Sequence, residues 1–579
     1  MKKLLCWLTL LCLLLTPVLS ALAEGSDGHA IEAVAMDFYY FDPDSVLQFP
    51  VYFVDGEDVP YFSLADWPAF FAGPTEDGTF AEEITDPVFS MEGSVGRLTR
   101  PDGYFVEFDC DTDTVHFYDY DAYMRPNTSA FLIDMLDNVE NPGEDEAFTY
   151  FARLTSSYER YGKEVTINAG DYGIDFIAGD GTCYVPMQTL SDVLLSYYFL
   201  GIFYNGEAAF LAGKSSFGKA TALTPLGELY YSVTPHARSE AMAKFTYNEL
   251  CLVLDALYGL KGNHNIASFN DLADETGLIV ELTSTDPVEA DAALYKLLTL
   301  HLDDLHTCYM MPSPLSGVQA ADGFLDELGD GQSDMNFDGQ ITLYGEARKL
   351  YYPDGVPAYE EVGNTAYITF DGFDPIPGDV DYYQVPPASD VEDTMGILIY
   401  AYQQITREDS PIENVVLDLS CNLGGSAKTA VYTIASFLGR CSVSVRNTLS
   451  GALVTGNYRI DLNLDGNVDD DDLALMNKNL YCLESPVSFS CGNLVPCVFK
   501  HSNRVTLLGR TSGGGACIVQ PLCTADGAIF QISGPLQLSF LKNGAFYDID
   551  QGADPDFPLM KPESFYDRVA LTDYINQIR

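Results

Sequence analysis

The sequence predicts an α/β protein with a mainly parallel sheet as its core, preceded by a small helical subdomain and a strand-rich N-terminal region. After residue 363, short apolar runs alternate with helix-length runs, which is the order that builds a parallel sheet. Residues 233–315 have a helical apolar period, whereas residues 24–232 contain aromatic, strand-like runs with Asp-Gly turns. At 579 residues and 47% hydrophobic content, the chain is long enough for several packed domains.

Residues 1–23 have the pattern of a secretory signal peptide. Lys2 and Lys3 precede an apolar stretch that ends at the small-residue cleavage motif Ala21-Leu22-Ala23. The apolar stretch is short for a membrane span, and an uncleaved anchor is the alternative. We therefore expect a mature chain without a span, secreted by a bacterium or held at its cell surface.

The composition argues against several classes of partner and scaffold. The formal net charge of −56 at pH 7 repels nucleic acid and anionic membrane surfaces. Of the 13 cysteines, two lie in the signal peptide. The remaining cysteines are odd in number and irregularly spaced, and no Cys-x-x-Cys pair indicates zinc. The chain is therefore not predicted to be a disulfide scaffold.

The strand-rich region contains a weak internal repeat. Segments 59–66 and 185–192 both begin with an extended Val-Pro and lead into a short helix. This pattern resembles the N-terminal-like domain of copper amine oxidases, which also occurs on secreted bacterial proteins. No catalytic constellation stands out in residues 24–232. We expect a binding or spacer role there, including association with the cell surface.

The helical subdomain is predicted to contain helices over residues 239–260 and 287–305, the second followed by His306. An acidic insert, residues 316–362, separates this subdomain from the core, residues 363–579.

Two acidic segments have the oxygen-ligand spacing of EF-hand-type calcium loops. The first set is Asp334, Asn336, Asp338, Gln340 and Glu346, and the second, at residues 461–472, is Asp461, Asn463, Asp465, Asn467 and Asp472. Each segment has a turn glycine, and a metal-free turn is the alternative. The segments also resemble dockerin half-repeats, but they are too far apart in sequence for cellulosome docking. We expect structural calcium and no cofactor for catalysis.

A serine elbow follows the second acidic segment. Small residues around Ser490 lead into a helix-like run, and a strand at residues 504–508 is followed by a glycine turn at 513–515. A hydroxyl on a tight turn beside backbone N–H groups is a common way to present a serine nucleophile. An ordinary strand–turn–helix with a solvent-facing serine is the alternative.

Four ordered segments within residues 235–579 resemble the tail-specific (C-terminal processing) serine peptidases. These segments are Val416–Gly425 (VLDLSCNLGG), Phe489–Asn493 (FSCGN), Leu508–Gly515 (LGRTSGGG) and Gly552–Asp556 (GADPD). The resemblance implies a ClpP/crotonase-like α/β fold. It also implies a serine-type peptidase that cleaves peptide or protein substrates through an acyl-enzyme on Ser490.

The expected base comes from a departure from the family pattern. Gly514 stands where the bacterial processing peptidases have a lysine, so a Ser–Lys pair is not expected, and Lys500 is the only near substitute. The motif LDDLHT at residues 302–307 resembles the histidine motif of the branch of tricorn protease and interphotoreceptor retinoid-binding protein. The resemblance implies His306 as general base, and the near-neutral pKa of imidazole suits this role. The alternative is that His306 caps a helix.

The other expected site residues follow from the same comparison. Asp550 is the candidate acid that orients His306, with Asp548 and Glu484 as alternatives. The expected oxyanion donors are the backbone N–H of Gly424 or Gly425 and that of Cys491. The Cys491 thiol is an alternative nucleophile.

Two other functions stay open. The first is a non-catalytic peptide- or ligand-binding protein on the same fold, because the lysine is missing and the retinoid-binding relatives are a precedent. The second is a cell-surface adhesion protein that acts through residues 24–232.

Overall fold

The computed structural model describes residues 22–24, 28–71, 87–125, 150–219, 222–302, 304–317, 332–378 and 380–578. Most of the expected signal peptide lies outside these residues. The expected cleavage site falls within a short strand, Leu22–Glu24, that pairs with the next strand. Within the described ranges, no helix is long and apolar enough to cross a membrane.

The N-terminal region forms two larger sheets around an aromatic core, together with a two-stranded sheet of Gly218–Lys219 and Ala222–Leu223. Its elements up to residue 125 are β1 (Leu22–Glu24), β2 (Ala30–Tyr40), β3 (Val46–Val54), β4 (Pro60–Ser63), α1 (Trp67–Phe71), β5 (Val88–Glu92), β6 (Val95–Thr99), β7 (Phe105–Asp109), β8 (Thr114–Phe117) and α2 (Tyr120–Met124). Those that follow are β9 (Phe151–Arg160), β10 (Val165–Asn168), β11 (Ile177–Gly179), β12 (Thr182–Pro186), α3 (Met187–Leu194), β13 (Leu200–Tyr204), β14 (Ala209–Gly213), β15 (Gly218–Lys219), β16 (Ala222–Leu223) and α4 (Pro225–Tyr230).

One sheet has the order β11-β12-β4-β3-β2-β14-β13, with β1 on β2, and the other has the order β10-β8-β7-β6-β5. The two halves of the sequence repeat are neighbours, because β4 and β12 pair antiparallel. Phe38, Phe62 and Phe108 are completely buried in this region.

One strand of this region belongs to a different sheet. β9 pairs antiparallel with the core strand Leu453–Ile460. The hairpin β13–β14 also packs on the core, since Phe210 and Phe217 share a cluster with Ile529. The expected boundary at residue 232 therefore does not separate two independent units.

The helical subdomain leads towards His306. Its elements are α5 (Glu240–Leu257), α6 (Phe269–Thr276), α7 (Ile279–Leu282), α8 (Pro287–Tyr295) and β17 (Cys308–Met311). The side chain of Asp286 caps α8, and Pro287 occupies its first turn. A π-helical segment, Lys296–His301, extends α8. His306 lies in the loop that follows, so it does not cap the helix.

The first expected calcium loop is a helix, which corrects the sequence interpretation. Helix α9 (Gln332–Tyr351) spans the whole segment. Alternate residues of an α-helix point about 200° apart, so they cannot converge on one ion as loop ligands do. The backbone at Asp334, Asn336 and Gln340 is helical, and Asp338 and Glu346 are exposed.

The core contains the predicted mainly parallel sheet. Its elements are β18 (Tyr359–Val362), β19 (Thr365–Thr369), α10 (Thr394–Thr406), β20 (Asn414–Asp418), α11 (Ala427–Leu438), β21 (Cys441–Asn447), β22 (Leu453–Ile460), β23 (Asn479–Glu484), α12 (Cys491–Ser502), β24 (Val505–Gly509), β25 (Cys517–Cys523), β26 (Ile529–Lys542), β27 (Ala545–Tyr547), β28 (Phe557–Pro558), α13 (Glu563–Tyr566) and α14 (Arg568–Ile578).

The sheet order is β18-β19-β20-β23-β24-β28, and every neighbouring pair is parallel except β18–β19. Every residue of β19 and β20 is buried, as expected for a parallel sheet covered on both faces. A second, antiparallel sheet has the order β17-β26-β21-β22-β9, with β25 and β27 also paired to β26. No disulfide joins the cysteines of the described ranges.

This topology places the candidate site at one edge of the parallel sheet. β20 and β23 are parallel neighbours, so their carboxyl ends meet at the same edge. The Gly424–Gly425 turn follows β20, and Ser490 follows β23.

Candidate active site

Ser490 occupies a strained elbow at the start of a helix. It immediately precedes α12, with φ of 57° and ψ of −124°. A non-glycine residue in this region costs about 1–3 kcal/mol, and such strain clusters at functional sites. The Ser490 N–H donates to the Gly514 carbonyl at 2.9 Å, and the Phe489 N–H donates to the Asn422 carbonyl at 3.0 Å. These bonds hold the elbow between two loops.

A two-glycine turn lies directly against the serine. Gly424 and Gly425 have φ of 102° and 132°. A Cβ on Gly424 would lie 2.6 Å from Ser490 Cβ and 3.0 Å from its Oγ, and a Cβ on Gly425 would lie 2.7 Å from the Phe373 carbonyl oxygen. Both the backbone conformation and the lack of space therefore require glycine.

Two of the three expected oxyanion donors are available. The N–H of Gly424 donates to Asn422 Oδ1 at 2.9 Å, so it is already used to hold the turn, which corrects the expectation for this residue. The N–H groups of Gly425 and Cys491 make no hydrogen bond to another described residue. Cys491 is the first residue of α12, where N–H groups have no partner within the helix and the dipole favours negative charge.

The Cys491 thiol does not suit the alternative role of nucleophile. It is buried, and burial raises its pKa to about 12. The thiol is therefore neutral at physiological pH, whereas the reactive form of cysteine is the thiolate.

His306 lies beside the elbow. Its imidazole is 4.6 Å from the Phe489 ring, centroid to centroid, and Phe489 is the residue before Ser490. Asp304 shapes the loop by accepting from the His306 N–H at 3.1 Å and from the Thr307 hydroxyl at 2.6 Å. The carbonyl of His306 accepts from Gln531 Nε2 at 2.6 Å. The loop after the helical subdomain thus places His306 at the edge of the parallel sheet.

The imidazole is buried in a way that favours its neutral form. His306 is 8% exposed, and its Nδ1 has no hydrogen-bond partner in the described part of the chain. Burial lowers the pKa of His306 below its usual value, the charge of Asp304 raises it, and the charge of Lys214 lowers it. A neutral imidazole at pH 7 can accept a proton.

The three candidate acids do not form a hydrogen bond to His306 within the described residues. Burial and the charge of Asp304 raise the pKa of Asp550. Asp548 accepts from Asn263 at 3.0 Å. The role of Asp550 as the orienting acid stays a prediction.

Glu484 is completely buried, neither carboxyl oxygen has a described partner, and burial raises its pKa. The acid whose charge acts on His306 is Asp304, which the sequence interpretation missed. The repeated aspartate in LDDLHT was the available signal.

The structure explains why no lysine occupies position 514. Gly514 has φ of 83°, and a Cβ there would lie 2.1 Å from the Asp550 carbonyl oxygen. Lys500 is not a substitute, because it lies near the far end of α12 and its Nζ is 2.5 Å from Asp556. The cation whose charge acts on His306 is Lys214, in the turn after β14. It was missed because residues 24–232 contain no recognisable catalytic pattern.

The second expected calcium segment is a loop from the end of β22 to Asp469, and its last residues begin a 3₁₀-helix, Asp470–Asn477. Asp461 Oδ2 accepts from the Gly466 N–H at 2.8 Å, and Asp472 Oδ1 accepts from the Leu462 N–H at 2.7 Å. Asp465 and Asn467 are exposed, and Asn463 is half-buried. No group of three or more His, Cys, Asp or Glu side chains among the described residues is arranged to hold a metal ion.

Comparison with known proteins identifies the core. The family model described as peptidase family S41 matches residues 364–559, which include the Gly424–Gly425 turn and Ser490. No curated protein matches the chain. The resemblance of the N-terminal region to copper amine oxidases is not confirmed.

Solved structures with detectable similarity include several peptidases. A putative peptidase from Parabacteroides merdae is 15% identical, with a TM-score of 0.42, over 58% of this chain and 96% of that chain. The photosystem II D1 C-terminal processing protease is 17% identical, with a TM-score of 0.26, over 36% of this chain and 47% of that chain. Tricorn protease is 9% identical, with a TM-score of 0.23, over 96% of this chain and 54% of that chain.

At these TM-scores the structural likenesses carry no argument about function, and the assignment depends on the family match. The match of residues 364–559 to the model of peptidase family S41 makes this segment similar to the tail-specific serine-type peptidases and supports a serine-type peptidase.

Proposed function

We propose that the chain hydrolyses peptides or proteins through an acyl-enzyme on Ser490, with His306 as the general base. The observation that carries this proposal is the strained Ser490 elbow, which lies against a two-glycine turn. The buried imidazole beside Phe489 supplies a base for the same site.

In the first step, Ser490 Oγ attacks the carbonyl carbon of the scissile bond, and its proton passes to the neutral His306. The carbonyl oxygen becomes an oxyanion, which the N–H groups of Gly425 and Cys491 stabilise. Each such donor contributes about 10²–10³-fold to the rate. When the tetrahedral intermediate collapses, the C–N bond breaks, and the protonated imidazole gives its proton to the leaving amine.

In the second step, water attacks the acyl-enzyme, and His306 accepts a proton from that water. The C–O bond to Ser490 then breaks, the serine oxygen regains a proton from His306, and the carboxylic acid product leaves. Atoms and protons balance without a cofactor. Asp304 and Lys214 act on this cycle through the pKa of His306, which the first raises and the second lowers.

Secretion and peptide specificity belong to the same proposal. The signal-peptide pattern of residues 1–23 supports export, and the net charge of −56 favours substrates that are not strongly acidic.

A non-catalytic peptide-binding protein is the second candidate. The observation that favours it is the absence of a hydrogen bond from His306 Nδ1 to any carboxylate in the described residues. A serine hydrolase normally orients its base with such a bond.

A fluorophosphonate probe separates the two candidates, because it reacts covalently only with an activated serine. We expect the full chain to be labelled at Ser490, as mapped by mass spectrometry of its peptides, and Ser490→Ala to abolish labelling. Ser442→Ala, at an exposed serine of β21, is the matched control and should label like the wild type. A folded wild-type protein that is not labelled at Ser490 would favour the binding protein.

A further inference from the structure

The loop between β22 and β23 places two acidic side chains in the protein interior. Asp461 and Asp472 are 1% and 4% exposed. They are the first and last residues of a twelve-residue segment with the ligand spacing of an EF-hand loop. Burying a carboxylate is costly unless its charge is compensated.

Among the described residues, no side-chain cation forms an ion pair with either carboxylate. The ion pairs of the described residues include no Lys, Arg or His partner for Asp461 or Asp472. The nearby Arg459 instead pairs with Asp470, at 3.5 Å. Besides burial, the charges of both acids raise the pKa values of Tyr402 and Tyr432. The two carboxylates therefore lie close to the same aromatic side chains.

One oxygen of this pair is left without a partner. Asp461 Oδ2 accepts from the Gly466 N–H at 2.8 Å and from the Tyr383 hydroxyl at 2.9 Å, so the carboxylate faces the interior of the loop. Its Oδ1 is buried and has no hydrogen-bond partner in the described part of the chain. A buried oxygen of this kind is a suitable ligand for a cation.

The rest of the loop is organised around the same point. Asp472 reaches back to the start of the loop, where its Oδ1 accepts from the N–H groups of Leu462 and Asn463 at 2.7 and 3.1 Å. Asn463 Oδ1 accepts from the Asp465 N–H at 2.8 Å, and Gly466 turns the chain with φ of 83°. The Asn463 amide oxygen thus accompanies two buried carboxylates, and Asp472 Oδ2 also accepts from the Asp469 N–H at 2.9 Å.

We propose that this loop binds one Ca²⁺ ion through the free Oδ1 of Asp461, the carboxylate of Asp472, the Asn463 amide oxygen and backbone carbonyls of residues 461–472. Oxygen ligands of mixed carboxylate, amide and carbonyl type are those that Ca²⁺ prefers. Only two of these ligands are buried carboxylates, and no cluster of three acidic side chains that could hold a metal occurs among the described residues. The first acidic segment forms helix α9, so its alternate residues cannot converge on one ion as loop ligands do.

The site also has a connection to the catalytic edge of the sheet. Tyr383, which donates to Asp461, lies in the segment between β19 and α10. Phe373, near the start of that segment, exchanges backbone hydrogen bonds with the Gly424–Gly425 turn, donating to the Gly424 carbonyl at 2.8 Å. Ca²⁺ therefore stabilises the segment that supports the oxyanion turn.

The test uses the chelator-treated full chain without measuring peptidase activity. Isothermal titration with CaCl₂ should give one site per chain, with a dissociation constant on the order of 10⁻⁴–10⁻³ M, as in extracellular calcium modules. Tb³⁺ should give luminescence sensitised by the nearby tyrosines, and Ca²⁺ should compete it away. Asp461→Asn should remove both signals, whereas Asp338→Asn, in the exposed face of α9, should leave both unchanged.

Because Asp461 is buried, a second variant keeps the test decisive if Asp461→Asn does not fold. Asn463→Ala, at a half-buried position, should bind Ca²⁺ about tenfold more weakly or worse through the loss of one ligand. The absence of Ca²⁺ binding at millimolar concentration would overturn the proposal. Ca²⁺ binding as tight as that of the wild type in a folded Asp461→Asn or Asn463→Ala variant would also overturn it. Loss of Ca²⁺ binding in Asp338→Asn would overturn it as well.

Discussion

Replacing His306 by glutamine removes the proposed base and conserves most of the side-chain volume. Glutamine can hydrogen-bond but cannot take a proton at neutral pH. A positioned general base contributes about 10²–10⁴-fold, so kcat/KM should fall by about 3–5 kcal/mol of transition-state stabilisation. Stability should change little, within about 1 kcal/mol, because His306 Nδ1 makes no hydrogen bond to another described residue that the variant could lose.

The pH dependence gives this variant a specific signature. Burial lowers the pKa of His306 from 6.5, so its neutral form persists in the fold below that pH. The rate of the wild type should therefore fall on the acid side with a midpoint below pH 6.5. The same histidine binds a proton more readily when unfolded, so its contribution to stability is present above pH 6.5 and is lost as pH falls through the folded pKa.

The assay is kcat/KM for a fluorogenic peptide between pH 4 and pH 9, with unfolding followed by circular dichroism at each pH. His301→Gln is the matched control, since His301 is exposed on the preceding helix and should behave like the wild type. A folded His306→Gln variant with wild-type kcat/KM at pH 7 would refute the reasoning. If the acid-side fall in kcat/KM of the wild type had its midpoint above pH 6.5, the assignment of that fall to His306 would be refuted.

Three further substitutions test separate parts of the site and fold. Gly424→Ala places a methyl group 2.6 Å from Ser490 Cβ, so peptidase activity and fluorophosphonate labelling should both fall at least about tenfold. Lys214→Met removes a charge that lowers the pKa of His306, so the acid limb of the kcat/KM profile should move to higher pH. Burial raises the pKa of Asp192 from 3.8 to about 8. Its contribution to stability is therefore lost as pH rises through 8, and Asp192→Asn should raise the melting temperature at pH 8.

For each of these substitutions, one experimental result would contradict the prediction. Gly262→Ala, where a Cβ meets nothing within 4 Å, is the control for the glycine turn, and equal activity in both alanine variants would contradict the packing argument. An unshifted or downward-shifted acid limb in Lys214→Met would contradict the electrostatic role of the lysine. A lower melting temperature for Asp192→Asn at pH 8 would show that the buried Asp192 carboxyl does not destabilise the fold at that pH.

The core was predictable because its signals are local. Local signals set both ends of helix α11, since Ser426 caps its first turn and Gly439 ends it in a left-handed conformation. The alternation of β19 and β20 with helices was sufficient to predict a mainly parallel sheet, and that prediction is confirmed.

The errors arise where distant parts of the chain decide the structure. β9 pairs with the core strand β22, which lies about 300 residues away in the sequence. Sequence reasoning missed this pairing because no local pattern encodes it. The first acidic segment has calcium-ligand spacing, but Tyr344 is completely buried and its ring is 5.2 Å from Phe565. Packing of that helical face decides the conformation.

The candidate site was predictable in its motif residues and not in its electrostatics. Ser490 and His306 belong to short sequence patterns, and the fold brings them to the same edge of the sheet. Lys214 acts on His306 only because the hairpin β13–β14 packs on the core. The use of the Gly424 N–H by Asn422 is likewise a property of the folded turn.

The central claim is that Ser490 becomes acylated with the help of His306. The most direct measurement is mass spectrometry of acid-quenched protein during turnover of an activated acyl ester, with the adduct mapped to its peptide. We expect the adduct on Ser490 in the wild type, none in Ser490→Ala, and a slower rate of appearance in His306→Gln. An adduct on any other residue, or equal rates of acylation in the wild type and a folded His306→Gln variant, would contradict the account.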